Sequence, residues 1–255
     1  MPVCLGNLNL RVVNLLYSFK LVAAPRMGVV ISLLIILLWL VHFVYLIQNE
    51  SLTFSTPMSY LHLAVQGYLT TGLFITAHDA MHGSVSRIRW LNHGLGYVAS
   101  FLFAAMSYRR LRLNHFQHHA APATDTDPDF NVHSQNFWVW FGAFIWRYKT
   151  WTQIVIMASL YNLFEHGFQI SETRLWLFWV LPCIWGALQL FYFGTYVPHR
   201  LPQTPDMYPY HARSQRRNHW WAMLSCYFFG YHWEHHHAPQ TEWWRLWKIK
   251  DERVR

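Results

Sequence analysis

The sequence predicts an all-α integral membrane protein, with about four transmembrane helices and a histidine-rich helical cap on the cytoplasmic side. Three observations predict it. Two uncharged runs, 28–47 and 58–77, follow one another early in the chain, and about 20 helical residues suffice to cross a ~30 Å hydrocarbon core. Hydrophobic residues make up 53% and charged residues 13%, against about 25% charged in soluble domains. Finally, eight of the 17 histidines fall into three closely spaced boxes.

The first run follows Arg11, Lys20 and Arg26 and has no small-residue cleavage site, so it reads as a retained span rather than a signal peptide. Gln48 to Pro57 is a short polar turn without Lys or Arg and is expected on the exoplasmic side. Past the second run the chain turns basic at Arg87, Arg89, Arg109, Arg110 and Arg112, which the positive-inside rule places in the cytoplasm. Residues 90–107 are uncharged but bracketed by arginines, so they are expected to lie interfacially or re-enter rather than span. Residues 150–166 and 175–198 form a second apolar pair joined by a short turn, and the basic segment 199–255 then returns to the cytoplasm. Both termini and the cap thus share the cytoplasmic side, in a single domain over 1–255. Fifteen tryptophans suit belts at the headgroup level.

The net charge of +8 suits an anionic membrane surface or an acidic protein partner; no nucleic-acid partner is expected. Cys4, Cys183 and Cys226 show no paired spacing and read as packing residues in a reducing compartment.

Three histidine boxes carry the chemistry. His78 and His82, four apart at the end of the second run, share one helix face. His115, His118 and His119 form the second box, and His232, His235 and His236 the third. Adjacent imidazoles diverge by about 100° on a helix, which suits two metals rather than one. Eight imidazoles exceed the four-coordinate habit of zinc, and imidazole serves iron, zinc, copper and nickel alike, so spacing does not name the element. His199, at the end of the last run in FGTYVPHR, is a ninth candidate on the same side. His237 directly follows the third box and competes with His236. His42 and His62, inside the first two runs, are expected to be hydrogen-bonded between helices.

Asp79 and Glu234, inside boxes, are placed to accept the distal N–H of a ligand imidazole. Asp125, with Asp127 and Asp129 in TDTDPDF, is a candidate for orienting a box imidazole or relaying protons; a turn built on Asp-Pro is the alternative. The HDxxH of the first box is close to the HExxH of zinc proteases, but a peptidase leaves the other boxes unexplained. No Gly-rich phosphate loop and no GxSxG elbow is present, so reducing electrons are expected from outside.

The boxes HxxxH, HxxHH and HxxHH resemble those of the membrane fatty acid desaturase and hydroxylase superfamily. The stretches HDAMHG (78–83), TDTDPDF (124–130), LQLFYFGTYVPHR (188–200) and FGYHWEHHHAPQTEWWRLW (229–247) are more specifically similar to bacterial-type β-carotene ketolases. The resemblance implies a non-haem di-iron site on the eight box histidines plus His199, with O2 as co-substrate. It implies two successive hydroxylations of the ring carbon-4 methylene of β-carotene and loss of water, giving echinenone and then canthaxanthin. The substrate would enter from the bilayer, and a ferredoxin-like carrier would supply electrons. A carotenoid hydroxylase or a fatty acid desaturase carries the same boxes and is the alternative.

Overall fold

The computed structural model describes residues 26–254; Cys4, Arg11 and Lys20 lie outside the described residues. Every regular element among these is a helix, and the one β-bridge joins Ser214 to Tyr231.

Helix α1 (Arg26–Gln48) leads through a short turn into α2 (Pro57–His82), which starts with Thr56 at the N-cap and Pro57 in its first turn. Proline suits that position because its missing N–H has no helical partner there. Gly83, at φ 76°, ends α2 in the left-handed conformation, the usual way to turn a chain out of a helix. The α1–α2 interface carries polar bridges: Trp39 Nε1 donates to Thr70 Oγ1 (2.9 Å), and the His42 ring lies 2.6 Å from Gln66 Oε1 and 3.1 Å from His62. His42 and His62 thus hydrogen-bond between helices, as expected from sequence.

Amphipathic α3 (Arg89–Ala104) buries Leu95, Gly96, Ala99 and Phe103 and is pinned to α2 by Asn92 Nδ2 on the Ala80 carbonyl (2.7 Å). Ala105, at φ 51°, turns the chain, and Ser107 caps α4 (Tyr108–Ala120). Helix α5 (Phe137–Tyr148) is capped by Asn136, and α6 (Trp151–Asn162) by a Thr150–Gln153 capping box. A π turn, Leu163–Gly167, prolongs α6.

Helix α7 (Glu172–His199) contains two further π turns, Trp176–Val180 and Tyr192–Tyr196. The second ends two residues before Pro198. A proline ring clashes with the carbonyl four residues back in a regular α-helix, and the wider turn accommodates it while re-aiming His199. Such π turns are frequent at functional sites. Gly67 lets α7 approach α2, since a Cβ there would lie 2.7 Å from Trp185 Cγ. Three short helices complete the cap: α8 (His219–Cys226), α9 (His232–His237) and α10 (Leu246–Val254).

The core gathers Ile35, Trp39 and Phe43 of α1, Leu73 and Ile75 of α2, Leu95 and Phe103 of α3, and Leu175 and Trp179 of α7. Outward-facing residues of α1, among them Leu33, Leu34, Leu37, Leu38, Val41 and Val44, remain exposed. Of the described helices, Met27–Gln48 and Glu172–His199 are long and apolar enough to cross a membrane, by length and composition. The runs at 58–77 and 150–166 differ from these two. Helix α2 is 26 residues long but carries Gln66, Thr70, Thr71 and Thr76 before its two box histidines, and α6 has 12 residues before its π turn.

Candidate metal centre

The first box sits on the last turn of α2, the second along α4, the third on α9, and His199 closes α7. Their nine imidazoles meet in one place. His78, His82, His115 and His235 bring ring nitrogens within 4.8 Å of one another, and so do His118, His199, His232 and His236. His119 joins the first group, its Nε2 2.9 Å from His235 Nε2, and stacks on His236 of the second at 4.2 Å. Each box therefore feeds both groups, apart from the first, because adjacent histidines on α4 and α9 point to different sides.

The protons of two rings can be assigned from acceptors alone. His118 Nδ1 lies 2.9 and 3.0 Å from the Asp127 carboxylate oxygens, and His199 Nδ1 lies 2.9 Å from the His211 carbonyl. A carboxylate and a carbonyl only accept, so both Nδ1 atoms donate, and each neutral ring presents an Nε2 lone pair to the second group. His199 Nε2 is fully buried without a hydrogen-bond partner, and His118 Nε2 faces His236 Nε2 at 3.1 Å. Buried lone pairs converging without enough protons are the donor set a cation satisfies, and an all-imidazole set with a carboxylate behind it fits a first-row transition metal.

Electrostatics agree. Burial, reinforced by neighbouring imidazoles, holds His115, His119, His232, His235 and His236 well below the usual histidine range, so they stay neutral, as metal binding requires. His118 is the exception: burial lowers it, but the Asp127 carboxylate outweighs burial and raises it. Asp127 shows the reverse balance. Burial pushes its carboxyl up, yet His118 and the Asp129 amide hold it below the ordinary value. That carboxylate also accepts the Ala123 and Asp129 amides, both at 2.8 Å.

Replacing Asp127 by asparagine would turn an NH2 toward these amide donors while leaving the loop's size unchanged. We expect Asp127→Asn to lower metal affinity or turnover about 10- to 100-fold, checked by metal content and activity of the purified variant.

The other acids separate. Asp125 is exposed in the loop; Asp127, two residues on, is the buried partner of His118. Asp79 accepts the Trp243 amide (3.0 Å) and stands 3.5 Å from His78 Nδ1, so it ties the segment before α10 to the first box. Burial raises its carboxyl above the ordinary range. Glu234 is fully buried but turns to Arg253 (3.4 Å) and Lys250 (3.7 Å), clamping α10 onto α9 rather than touching the imidazoles. His237 is exposed, stacked on Trp233 at 5.1 Å and 3.1 Å from the Tyr210 hydroxyl. Sequence reasoning missed two features, the His211 carbonyl and Tyr148, whose hydroxyl donates to Asp129. Burial lifts the Asp129 carboxyl to about 6.

A cavity of about 460 Å3 reaches the centre. Phe74, Phe103, Leu111, Phe141, Phe144, Ala187 and Leu190 wall it, and it ends on His78, His115, His118 and His232, members of both groups. Ile145 and Ile184, both exposed, line it where it reaches the surface. Its size lies within the usual range for small-molecule sites, about 300–1,000 Å3.

Gly194 borders this cavity inside the second π turn of α7. A Cβ there would overlap the Phe229 ring, which in turn packs against His78 (5.0 Å) and His232 (5.5 Å). Overpacking of this kind costs about 1–3 kcal/mol. Gly194→Ala should lower the unfolding midpoint in detergent and, by moving Phe229, reduce activity as well.

The chain matches the fatty acid desaturase family over residues 55–175 and 146–255. It is 38% identical over 185 residues to a β-carotene ketolase of a Paracoccus species, covering 70% of this chain and 74% of that one. It is 31% identical over 259 residues to a β-carotene ketolase of Haematococcus lacustris, covering 90% and 81%. The chain belongs to the β-carotene ketolases of the fatty acid desaturase superfamily. That makes this carotenoid ketolase homologue an oxygenase-type oxidoreductase. A zeaxanthin 4-ketolase of Chlamydomonas reinhardtii is 35% identical over 237 residues, 88% of this chain but 53% of that protein, so the chain spans about half the length of this relative. No solved structure matches the chain.

Proposed function

We propose that this ketolase homologue converts the ring carbon-4 methylene of β-carotene to a ketone, giving echinenone and then canthaxanthin, at a non-haem di-iron centre. The observation that carries the reading is the apolar cavity ending on imidazoles of both groups. A C–H bond beside a ring alkene offers no polar handle, so the ring must be held by shape against the oxidant, and this cavity has that character.

His78, His82, His115, His119 and His235 would hold one iron, and His118, His199, His232 and His236 the other. When bound, the pair supplies O2 activation with electrons delivered one at a time. The protein's part is to orient and exclude water. Asp127 fixes the His118 ring, the His211 carbonyl fixes His199, and Asp79 braces the first box from behind. Phe74, Phe103 and Phe144 exclude water from the ring carbon.

Membrane insertion as a single four-span domain, with spans near 28–47, 58–77, 150–166 and 175–198 and the centre and termini cytoplasmic, belongs to the same proposal. The exposed apolar side of α1 and the length of α7 support it. β-Carotene then enters from the bilayer by way of Ile145 and Ile184. Electrons come from a reduced acidic carrier of the ferredoxin kind, drawn to the basic residues of 199–255.

Pigment analysis of a β-carotene-producing bacterium expressing this chain tests the reading. Echinenone and canthaxanthin are the expected products. Zeaxanthin would make the chain a hydroxylase, and unchanged β-carotene with the chain present in the membrane would refute a carotenoid substrate.

A further inference from the structure

The cavity is apolar over most of its wall, yet it places a carboxyl and a phenol beside the imidazoles. Asp129 and Tyr148 both line it. Oxygen and nitrogen atoms of Asp129, Asp127 and His118 lie within 4.8 Å of one another, so the pair stands at the centre's end of the cavity. Tyr148 donates its hydroxyl to Asp129 Oδ1, and Asp129 Oδ2 has no hydrogen-bond partner among the described residues. Three other polar groups of the wall are engaged by the protein. Gln153 Nε2 is bound to the Ala104 carbonyl (2.8 Å), the Lys149 ammonium lies over the Trp146 ring (3.1 Å), and Cys183 Sγ is on the Phe103 carbonyl (3.0 Å).

The loop that carries Asp129 is firmly held. Trp140 Nε1 donates to the Asp129 carbonyl (2.8 Å), and Arg147 bridges the Pro128 and Phe130 carbonyls at 2.8 and 2.7 Å. A carboxylate with a free oxygen, fixed so close to the centre, is unsuited to a hydrocarbon. It suits a hydroxyl.

We propose that Asp129 and Tyr148 hold the hydroxyl formed by the first oxidation, keeping the alcohol at the centre until the same carbon is oxidised again. The pair thereby determines that the product is a ketone rather than an alcohol. The inference rests on the ketolase reading above and deepens it.

The balance of the reaction shows why retention matters. One O2, two electrons from the carrier and two protons convert the ring CH2 to CHOH and release one water. A second O2 with two more electrons and two protons converts CHOH to the geminal diol and water, and the diol sheds another water to leave the ketone. Between the two rounds the alcohol must wait for fresh electrons. Apolar contacts hold it no better than its parent, whereas its O–H can donate to Asp129 Oδ2. A hydrogen bond to a charged group favours the hydroxylated ring by roughly 10- to 100-fold, and sites built around a substrate hydroxyl discriminate strongly for it.

Two measurements test this. In the first, membranes with the wild-type chain, the reduced carrier and O2 receive equal amounts of β-carotene and its 4-hydroxy derivative. Consumption of the alcohol about tenfold faster is expected, and equal consumption would overturn the proposal. In the second, Tyr148→Phe and Asp129→Asn are expressed in the β-carotene-producing host, and 4-hydroxy and 4-keto pigments are separated. Both variants should raise the alcohol-to-ketone ratio about tenfold, whereas a lower total yield at the wild-type ratio would assign the pair a structural role and sink the idea. The ketolase reading itself fails differently, by the wild-type chain making no oxidised carotenoid.

Discussion

Replacing His118 by alanine should abolish ketone formation and remove one of the two proposed metal ions. Its Nδ1 is committed to Asp127 and its Nε2 points, as a lone pair, at the second group beside His199, His232 and His236. The substitution deletes a donor and also strands a buried carboxylate. Disturbing only the partner behind a ligand costs about 10- to 100-fold, so losing the ligand itself should exceed 100-fold. Metal analysis of the purified variant, set beside pigment yield, checks both parts. Wild-type ketone yield from the alanine variant would remove His118 from the centre.

The second large effect is expected at His235. Its Nε2 lies 3.2 Å from His78 Nε2 and 2.9 Å from His119 Nε2, so it links the first and second boxes within the first group. His235→Ala should also lower activity more than about 100-fold, while the second group keeps its own metal. Two residues on, His237→Ala should behave as an ordinary surface substitution, within about 0.5 kcal/mol in stability. Its ring is exposed against Trp233 and Tyr210. The contrast between neighbours on one short helix is informative because a general loss of folding would not separate them.

Much of this centre was legible because helices convert spacing into direction. Positions i+3 and i+4 from His232 are His235 and His236; His237, which competes with His236 in the sequence, is exposed on α9 while His236 is buried. His199 was readable from its place at the end of the last apolar run, although the π turn that aims it left no mark in the periodicity. The loop 124–130 was opaque for the opposite reason. Asp125, Asp127 and Asp129 alternate in sequence, but no helical period says which one turns inward. Asp127 is buried because it gathers the Ala123 and Asp129 amides around itself, a local loop geometry invisible before folding. Tyr148 could not be paired with Asp129 from sequence, since their contact depends on how α5 packs over the loop.

The all-helical character followed from apolar runs, but their edges moved. The run at 175–198 lies inside a helix from Glu172 to His199, and 150–166 divides into a 12-residue α-helix and a π turn. Polar side chains within α2 serve contacts with α1 and α7: Thr70 with Trp39, and Thr71 with Gln189 at 2.5 Å. Apolarity alone therefore understates how much of α2 is internal.

Nine imidazoles are proposed to hold two irons at the end of an apolar cavity. The most direct test is the iron content of the purified chain, measured together with ketone formation from β-carotene as iron is added back to metal-stripped protein. Two irons per chain, with ketone yield rising in proportion to occupancy, is the predicted result. A chain that makes ketone with a single metal ion, or with zinc and no iron, would contradict the account.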